Sequence, residues 1–226
     1  MNEFRTILLV AVAAGVLAGA VLFGVQYAAI VPLIQRAETY EAAHEAQHSG
    51  HEEAEWKPAD GWERTAFTAL ATVLTGIGQA AILLGAIFFF GWRINARNGV
   101  LWGLAAFACF HLAPALGLPP QPPGVPEAGL EGRQIWWLAT VVLTAVGIYL
   151  VVAGRAWWLR VAGGVCFTLP HLVGAPVAMG ESMVPAELVR QFVVVSLAAS
   201  FVFWMTLGVA SGFLCSRYAG RTFSRR

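Results

Sequence analysis

The sequence predicts an all-α protein, a polytopic membrane helix bundle of six spans. Six long apolar runs support this prediction, and they occupy residues 7–30, 65–92, 100–118, 134–153, 157–179 and 188–213. Each run is long enough, or nearly so, to cross a hydrocarbon core of about 30 Å as a helix. Charged residues make up only 12% of the chain and hydrophobic residues 58%, whereas an ordinary globular protein has about 25% charged residues. This composition argues against a soluble fold.

The charged residues between the runs segregate by alternate gaps. One set of gaps holds nine arginines and a single acidic residue, Glu3, whereas the other set holds twelve acidic and five basic residues. Short gaps rich in Lys and Arg remain in the cytoplasm. The pattern therefore predicts that both termini are cytoplasmic and that residues 37–62 lie on the outer side of the membrane.

The first run follows Arg5, as the apolar region of a signal peptide would. It is about 24 residues long, whereas the apolar region of a signal peptide usually contains about 7–15 residues. We therefore expect residues 7–30 to be retained as a membrane span.

Residues 37–62 form an acidic outer loop inserted in the first hairpin of a single transmembrane domain, 1–226. The loop carries His44, His48 and His51. On a helix His44 and His48 share one face, because they are four residues apart. Imidazole and carboxylate groups suit divalent ions such as cobalt, nickel and zinc, so we expect weak, reversible metal contact here. The alternative is a solvated polar loop.

The six spans are predicted to form three tandem helical hairpins with related sequences. The outer loops of the second and third hairpins begin with Val125-Pro126 and Val184-Pro185, and the first hairpin has Val31-Pro32. Repeats that each cross the membrane twice keep the same orientation, as parallel repeats do in some transporters. Chance similarity between apolar helices is the alternative to a triplication.

Glycines four residues apart occur in the first and last spans, at Gly15 and Gly19 and at Gly208 and Gly212. This spacing lets membrane helices approach each other closely. We expect the glycines to pack helices within one bundle, with a dimer interface as the alternative.

Tryptophans cluster at the ends of the apolar runs. They are Trp62, Trp102, Trp136, Trp137, Trp157 and Trp158. Indole rings at such positions are typical of the aromatic belt at the membrane–water interface. We therefore expect these side chains to lie at headgroup level.

Two further histidines, His111 and His171, lie inside the third and fifth runs. Pro114 and Pro170 are close to them, and each proline removes a helical hydrogen bond. Irregular backbone at membrane depth is tolerated where protein or a water-filled cavity satisfies it, and an ionisable residue there is a functional candidate. We expect both histidines to bind metal, and a histidine hydrogen-bonded across the bundle is the alternative.

The sequence contains neither a G-x-x-x-x-G-K-[ST] phosphate-binding loop nor a G-x-S-x-G nucleophile turn. It also has no basic cluster with interleaved aromatic residues, so we expect no nucleic-acid partner. We predict a membrane protein that handles divalent metal cations and is not an enzyme, without an organic cofactor. The alternatives are a haem- or metal-containing membrane oxidoreductase, with His111 and His171 as axial ligands, and a non-transporting membrane scaffold.

Three strings of residues resemble a known family. They are Asp60-Gly61-Trp62-Glu63-Arg64, Leu112-Ala113-Pro114-Ala115-Leu116-Gly117-Leu118-Pro119-Pro120, and Pro170-His171-Leu172. With these strings, and over nearly its whole length, the chain resembles the CbtA-type subunit of predicted bacterial cobalt transporters. The resemblance implies a multi-pass protein of the bacterial inner membrane that takes up cobalt, as transported substrate, for cobalamin synthesis. It also implies a small histidine-bearing membrane partner, CbtB.

Overall fold

The fold of the chain is taken from a computed structural model, and the structure describes residues 2–45, 58–59, 61–92 and 94–219. All regular secondary structure within these ranges is helical. The prediction of an all-α protein is therefore confirmed.

Eight α-helices and three π-helical turns follow one another in the described residues. The α-helices are α1 (Asn2–Val25), α2 (Val31–Glu45), α3 (Trp62–Phe89), α4 (Ala96–Phe107), α5 (Ala113–Ala115), α6 (Leu130–Ala153), α7 (Trp157–Val173) and α8 (Ala186–Leu214). The π-helical turns are Gln26–Ile30, Ala108–Leu112 and Cys215–Ala219. Each π turn directly continues an α-helix. The turn Gln26–Ile30 joins α1 to α2, the turn Ala108–Leu112 joins α4 to α5, and Cys215–Ala219 extends α8.

Within the described ranges, five helical stretches are long and apolar enough to cross a membrane. They are Phe4–Ala43, Trp62–Phe89, Ala96–Ala115, Leu130–Ala153 and Ala186–Tyr218. The fifth predicted run forms α7, whose 17 residues extend over about 26 Å, at the lower limit for a membrane helix. A helical membrane bundle is therefore confirmed, and the crossing by α7 stays a prediction.

The stretch that contains α1 and α2 is longer than a bilayer is thick. It contains 40 residues, whereas about 20 residues of helix are enough to cross a hydrocarbon core of about 30 Å. The polar end of α2, residues 36–45, therefore continues the helix into the predicted outer loop. The loop predicted at 37–62 begins as a helix rather than as an irregular segment.

Two of the π turns precede a proline in the same way. Gln26–Ile30 is followed by Val31-Pro32, and Ala108–Leu112 is followed by Ala113-Pro114. A π turn shifts the hydrogen bonds from the fourth to the fifth residue, as in the bond from the Ala113 N–H to the Ala108 carbonyl. The first two predicted hairpins thus share a backbone feature, whereas Pro170 lies inside the α-helix α7. The tandem triplication stays a prediction.

The chain divides into two compact units. The first takes its described residues from 1–28, 51–104 and 199–226, and the second takes them from 29–50 and 105–198. The prediction of a single transmembrane domain is not tested by this division and stays a prediction.

Glycines bring the helices of the first unit into close backbone contact. A methyl group on Gly15 would lie 2.5 Å from the Ile77 Cα, and one on Gly19 would lie 2.8 Å from the Val73 Cα. Gly208 faces the backbone of Gly99 in the same way. The glycine spacing in the sequence therefore serves packing within one chain, as expected.

The second unit contains an equivalent glycine contact between α6 and α7. A methyl group on Gly147 would lie 2.9 Å from the Gly163 carbonyl oxygen and 2.7 Å from the Phe167 ring. Such a close approach is possible only because neither glycine carries a side chain. The contact holds α7 against the buried face of α6.

Candidate functional site

A cavity of about 550 Å³ opens in the second unit, lined by residues of α6, α7 and the segment 108–116. Three of its lining side chains are polar, namely Thr144, Thr168 and His171, and the others are apolar. Among the described residues, His171 is the only imidazole on this lining. The cavity is therefore where the structure places one of the two predicted membrane histidines.

The ring of His171 is held by a buried tryptophan. Trp136 of α6 packs edge to face against it, with ring centroids 5.8 Å apart. The indole Nε1 of Trp136 donates a hydrogen bond of 3.2 Å to the carbonyl of Pro170. Trp136 therefore positions both the imidazole and the backbone immediately before it.

The helix α7 continues through Pro170 and His171 and ends at Gly174, three residues after His171. Pro170 has no N–H, so the carbonyl of Cys166 lacks its usual donor four residues on. Gly174 has a φ of +86° and its N–H donates to the Pro170 carbonyl at 3.1 Å, which ends the helix at Val173. Non-glycine residues rarely adopt this φ. His171 itself is helical, so the non-helical backbone begins only at Gly174, and the freed Cys166 carbonyl is the one irregular feature that Pro170 introduces beside it.

Trp136 was predicted to belong to the aromatic belt at headgroup level; that depth stays a prediction, but the side chain packs inside the protein and does not face lipid. Its side chain is only 7% accessible, because the indole ring fills the space beside Gly117. The face of α6 from Trp136 through Thr140 and Thr144 to Gly147 is buried, and this spacing of four, four and three residues is helical. That spacing is the signal in the sequence that could have identified Trp136 as a core residue.

Two threonines on this face of α6 differ in their hydrogen bonding. The hydroxyl of Thr140 donates to the Trp136 carbonyl at 2.8 Å. The hydroxyl of Thr144, whose side chain lines the cavity and is 3% accessible, has no hydrogen-bond partner within the described part of the chain. Thr144 is therefore a polar cavity residue that the sequence analysis missed.

His111 lies in a different environment from His171. It belongs to the π turn Ala108–Leu112 and stacks on Phe107, with ring centroids 6.3 Å apart and an interplanar angle of 11°. The cavity lining includes Ala108 and Leu112 from this turn but not His111. Among the described residues, no three His, Cys, Asp or Glu side chains form a metal-binding cluster. Metal binding by His111 and His171 stays a prediction.

The predicted metal contact in the outer loop falls largely outside the described residues. The backbone of His44 lies in the last turn of α2, its side chain is not described, and His48 and His51 lie beyond residue 45. The sequence His44-Glu45-Ala46-Gln47-His48 also matches H-E-x-x-H, a zinc-binding pattern in which the Glu is a general base. This pattern was not considered when the protein was predicted not to be an enzyme. The absence of enzymatic activity therefore stays a prediction.

Comparison with known proteins identifies a family for this chain. No curated protein and no solved structure matches it. The model of the family described as "Probable cobalt transporter subunit (CbtA)" matches residues 4–216, nearly the whole chain. This protein therefore belongs to the CbtA family of probable cobalt transporter subunits.

Proposed function

We propose that this subunit carries Co²⁺ inward across the bacterial inner membrane and that His171 is a ligand of the ion on its way. The observation that supports this proposal is the placement of one imidazole on the lining of a cavity, in the last turn of a helix that contains Pro170 and ends at Gly174. Imidazole is a favourable ligand for divalent cobalt. The family description, a probable cobalt transporter subunit, favours cobalt as the substrate.

A site with one imidazole binds a divalent ion weakly, which is what passage requires. An ion that is transported has to be bound well enough to enter and weakly enough to leave. A closed set of three or four ligands, as in structural metal sites, would retain it. The other polar side chains of the lining, Thr144 and Thr168, are neutral, so they add no charge that would hold the ion tightly.

The outer loop would collect the ion before it reaches the cavity. His44, His48 and His51 lie in an acidic segment, and carboxylates raise the local concentration of cations. The charge pattern of the sequence favours an outer position for this loop and a cytoplasmic position for both termini. His111 is a second candidate ligand, and a small histidine-bearing partner of the CbtB type would complete the transporter.

A metal-resolved uptake assay tests the proposed function. Bacterial cells with and without this chain, each carrying the CbtB-type partner, are supplied with Co²⁺, Ni²⁺ and Zn²⁺, and their metal content is measured by mass spectrometry. We expect the chain to increase cobalt most. A cobalt content that does not depend on the chain would contradict the proposal, and a preference for nickel or zinc would correct the substrate.

A Glu45→Gln variant with unchanged uptake would separate metal capture from any hydrolytic use of the H-E-x-x-H pattern.

A further inference from the structure

The segment that follows α7 presents accessible apolar side chains. Val177 and Met179 are 86% and 95% accessible, and Leu172 and Val173 at the end of the helix are similarly open. Residues 161–180 contain no Asp, Glu, Lys or Arg. An apolar surface of this kind indicates an interaction site rather than contact with bulk water.

The other side of the same segment is covered by protein. A methyl group on Gly117 would lie 3.0 Å from the Ala175 Cβ, and one on Gly132 would lie 3.5 Å from the Pro176 ring. Ala175 and Pro176 thus pack on the second unit, whereas Val177 and Met179 are left open. One side of the segment therefore packs against protein. Its other side is apolar and is not covered by the described part of the chain.

The length of α7 indicates what that environment is. Trp157 and Trp158 begin the helix with accessible indole rings, as expected at one membrane interface. If α7 crosses the membrane as predicted, it covers about 26 Å of a hydrocarbon core of about 30 Å. Because an extended residue advances about 3.3 Å, one or two residues after Val173 would then reach the opposite interface. The residues after them would lie at that interface.

We propose that residues 174–179 are a lipid-binding segment at the membrane interface, with Val177 and Met179 inserted among the acyl chains of the leaflet at the C-terminal end of α7. Irregular backbone is not stable in the hydrocarbon centre, where its polar groups find no partners. At the interface the backbone N–H and C=O groups of this segment can form hydrogen bonds with lipid headgroups and water. Pro176 has no N–H that needs a partner. This non-helical segment completes the crossing that α7 leaves short, and the proposal does not depend on which ion is transported.

Depth measurements on spin-labelled variants test the proposal. Val177→Cys and Met179→Cys are labelled with a nitroxide and reconstituted into vesicles of phosphatidylethanolamine and phosphatidylglycerol. Glu181→Cys is the matched control, two residues further along. The native cysteines are first replaced by alanine, at Cys109, Cys166 and Cys215. Collisions of each label with oxygen, which is enriched in lipid, are compared with collisions with a water-soluble nickel complex.

The proposal requires oxygen collisions to exceed nickel collisions at residues 177 and 179, and the reverse at residue 181. Dominant nickel collisions at 177 and 179 would place the segment in water and overturn the proposal. Few collisions with either reagent would mean that protein covers the segment, and this would overturn it as well. If the cysteine-free background does not fold, a photoreactive diazirine side chain at position 177 of the otherwise wild-type chain gives the same answer. It should crosslink to lipid, whereas one at position 181 should not.

Discussion

Replacement of Trp136 by phenylalanine tests how the C-terminal end of α7 is held in place. The indole Nε1 donates to the Pro170 carbonyl at 3.2 Å, and the ring packs edge to face on His171. Phenylalanine keeps an aromatic ring next to the imidazole but removes the N–H donor. We expect Trp136→Phe to lower the free energy of unfolding and to leave His171 less well positioned.

The structure limits the size of this effect. The Pro170 carbonyl also accepts the Gly174 N–H at 3.1 Å, so the variant does not leave it without a partner. The loss is therefore that of one hydrogen bond, about 0.5–1.5 kcal/mol, rather than the larger cost of an unpaired buried carbonyl. Together with the smaller ring volume we expect about 1–2 kcal/mol. For a chain of this size this corresponds to a decrease in Tm of about 2–8 °C.

Thermal unfolding in detergent, followed by circular dichroism, measures the effect. Trp137→Phe is the matched control, because Trp137 is the next residue, is 37% accessible, and packs its ring beside Phe110. We expect the control to change Tm by less than about 2 °C. Equal decreases for the two variants, or none for Trp136→Phe, would refute the argument that Trp136 fixes the end of α7.

Three further predictions concern packing, the cavity and topology. Gly147→Ala should lower stability by about 1–3 kcal/mol, because its methyl group would lie 2.7 Å from the Phe167 ring. Gly164→Ala, which meets no atom within 4 Å, should not lower it, and equal losses in thermal unfolding would contradict this contact. Thr144→Val should leave stability unchanged or raise it by about 1 kcal/mol, because it removes a buried hydroxyl without a partner; a clear loss of Tm would show that the hydroxyl is satisfied. An epitope tag after residue 50 should bind antibody in intact spheroplasts, and binding only after permeabilisation would reverse the topology.

The sequence was sufficient to predict the helical membrane class and most helix positions, because apolar runs and glycine spacing are local properties. The predicted run 134–153 lies within α6, Leu130–Ala153. The predicted run 157–179, however, is helical only to Val173. Composition could not predict the C-terminal end of α7, because residues 174–179 are as apolar as the helix itself. The end of the helix is determined by Pro170 and Gly174 and not by a change in polarity.

The candidate site could be predicted only in part. His171 and its neighbouring proline were identified from the sequence, since an ionisable residue in an apolar run is conspicuous. The burial of Trp136 was missed although its helical spacing with Thr140, Thr144 and Gly147 indicates a buried face. Its contacts could not be predicted, because Gly117 and His171 belong to separate segments. Thr144 lies on the same face, but the cavity that it lines is formed by three separate segments, which local composition does not bring together.

The initial rate of cobalt entry into cells that produce His171→Ala tests the central claim most directly. The variant and the wild-type chain are produced at equal membrane levels with the CbtB-type partner, and radioactive Co²⁺ is supplied at low concentration. If the ion passes through the cavity at His171, the rate with the variant falls to that of cells without the chain. A rate equal to that of the wild type would contradict the assignment of this site.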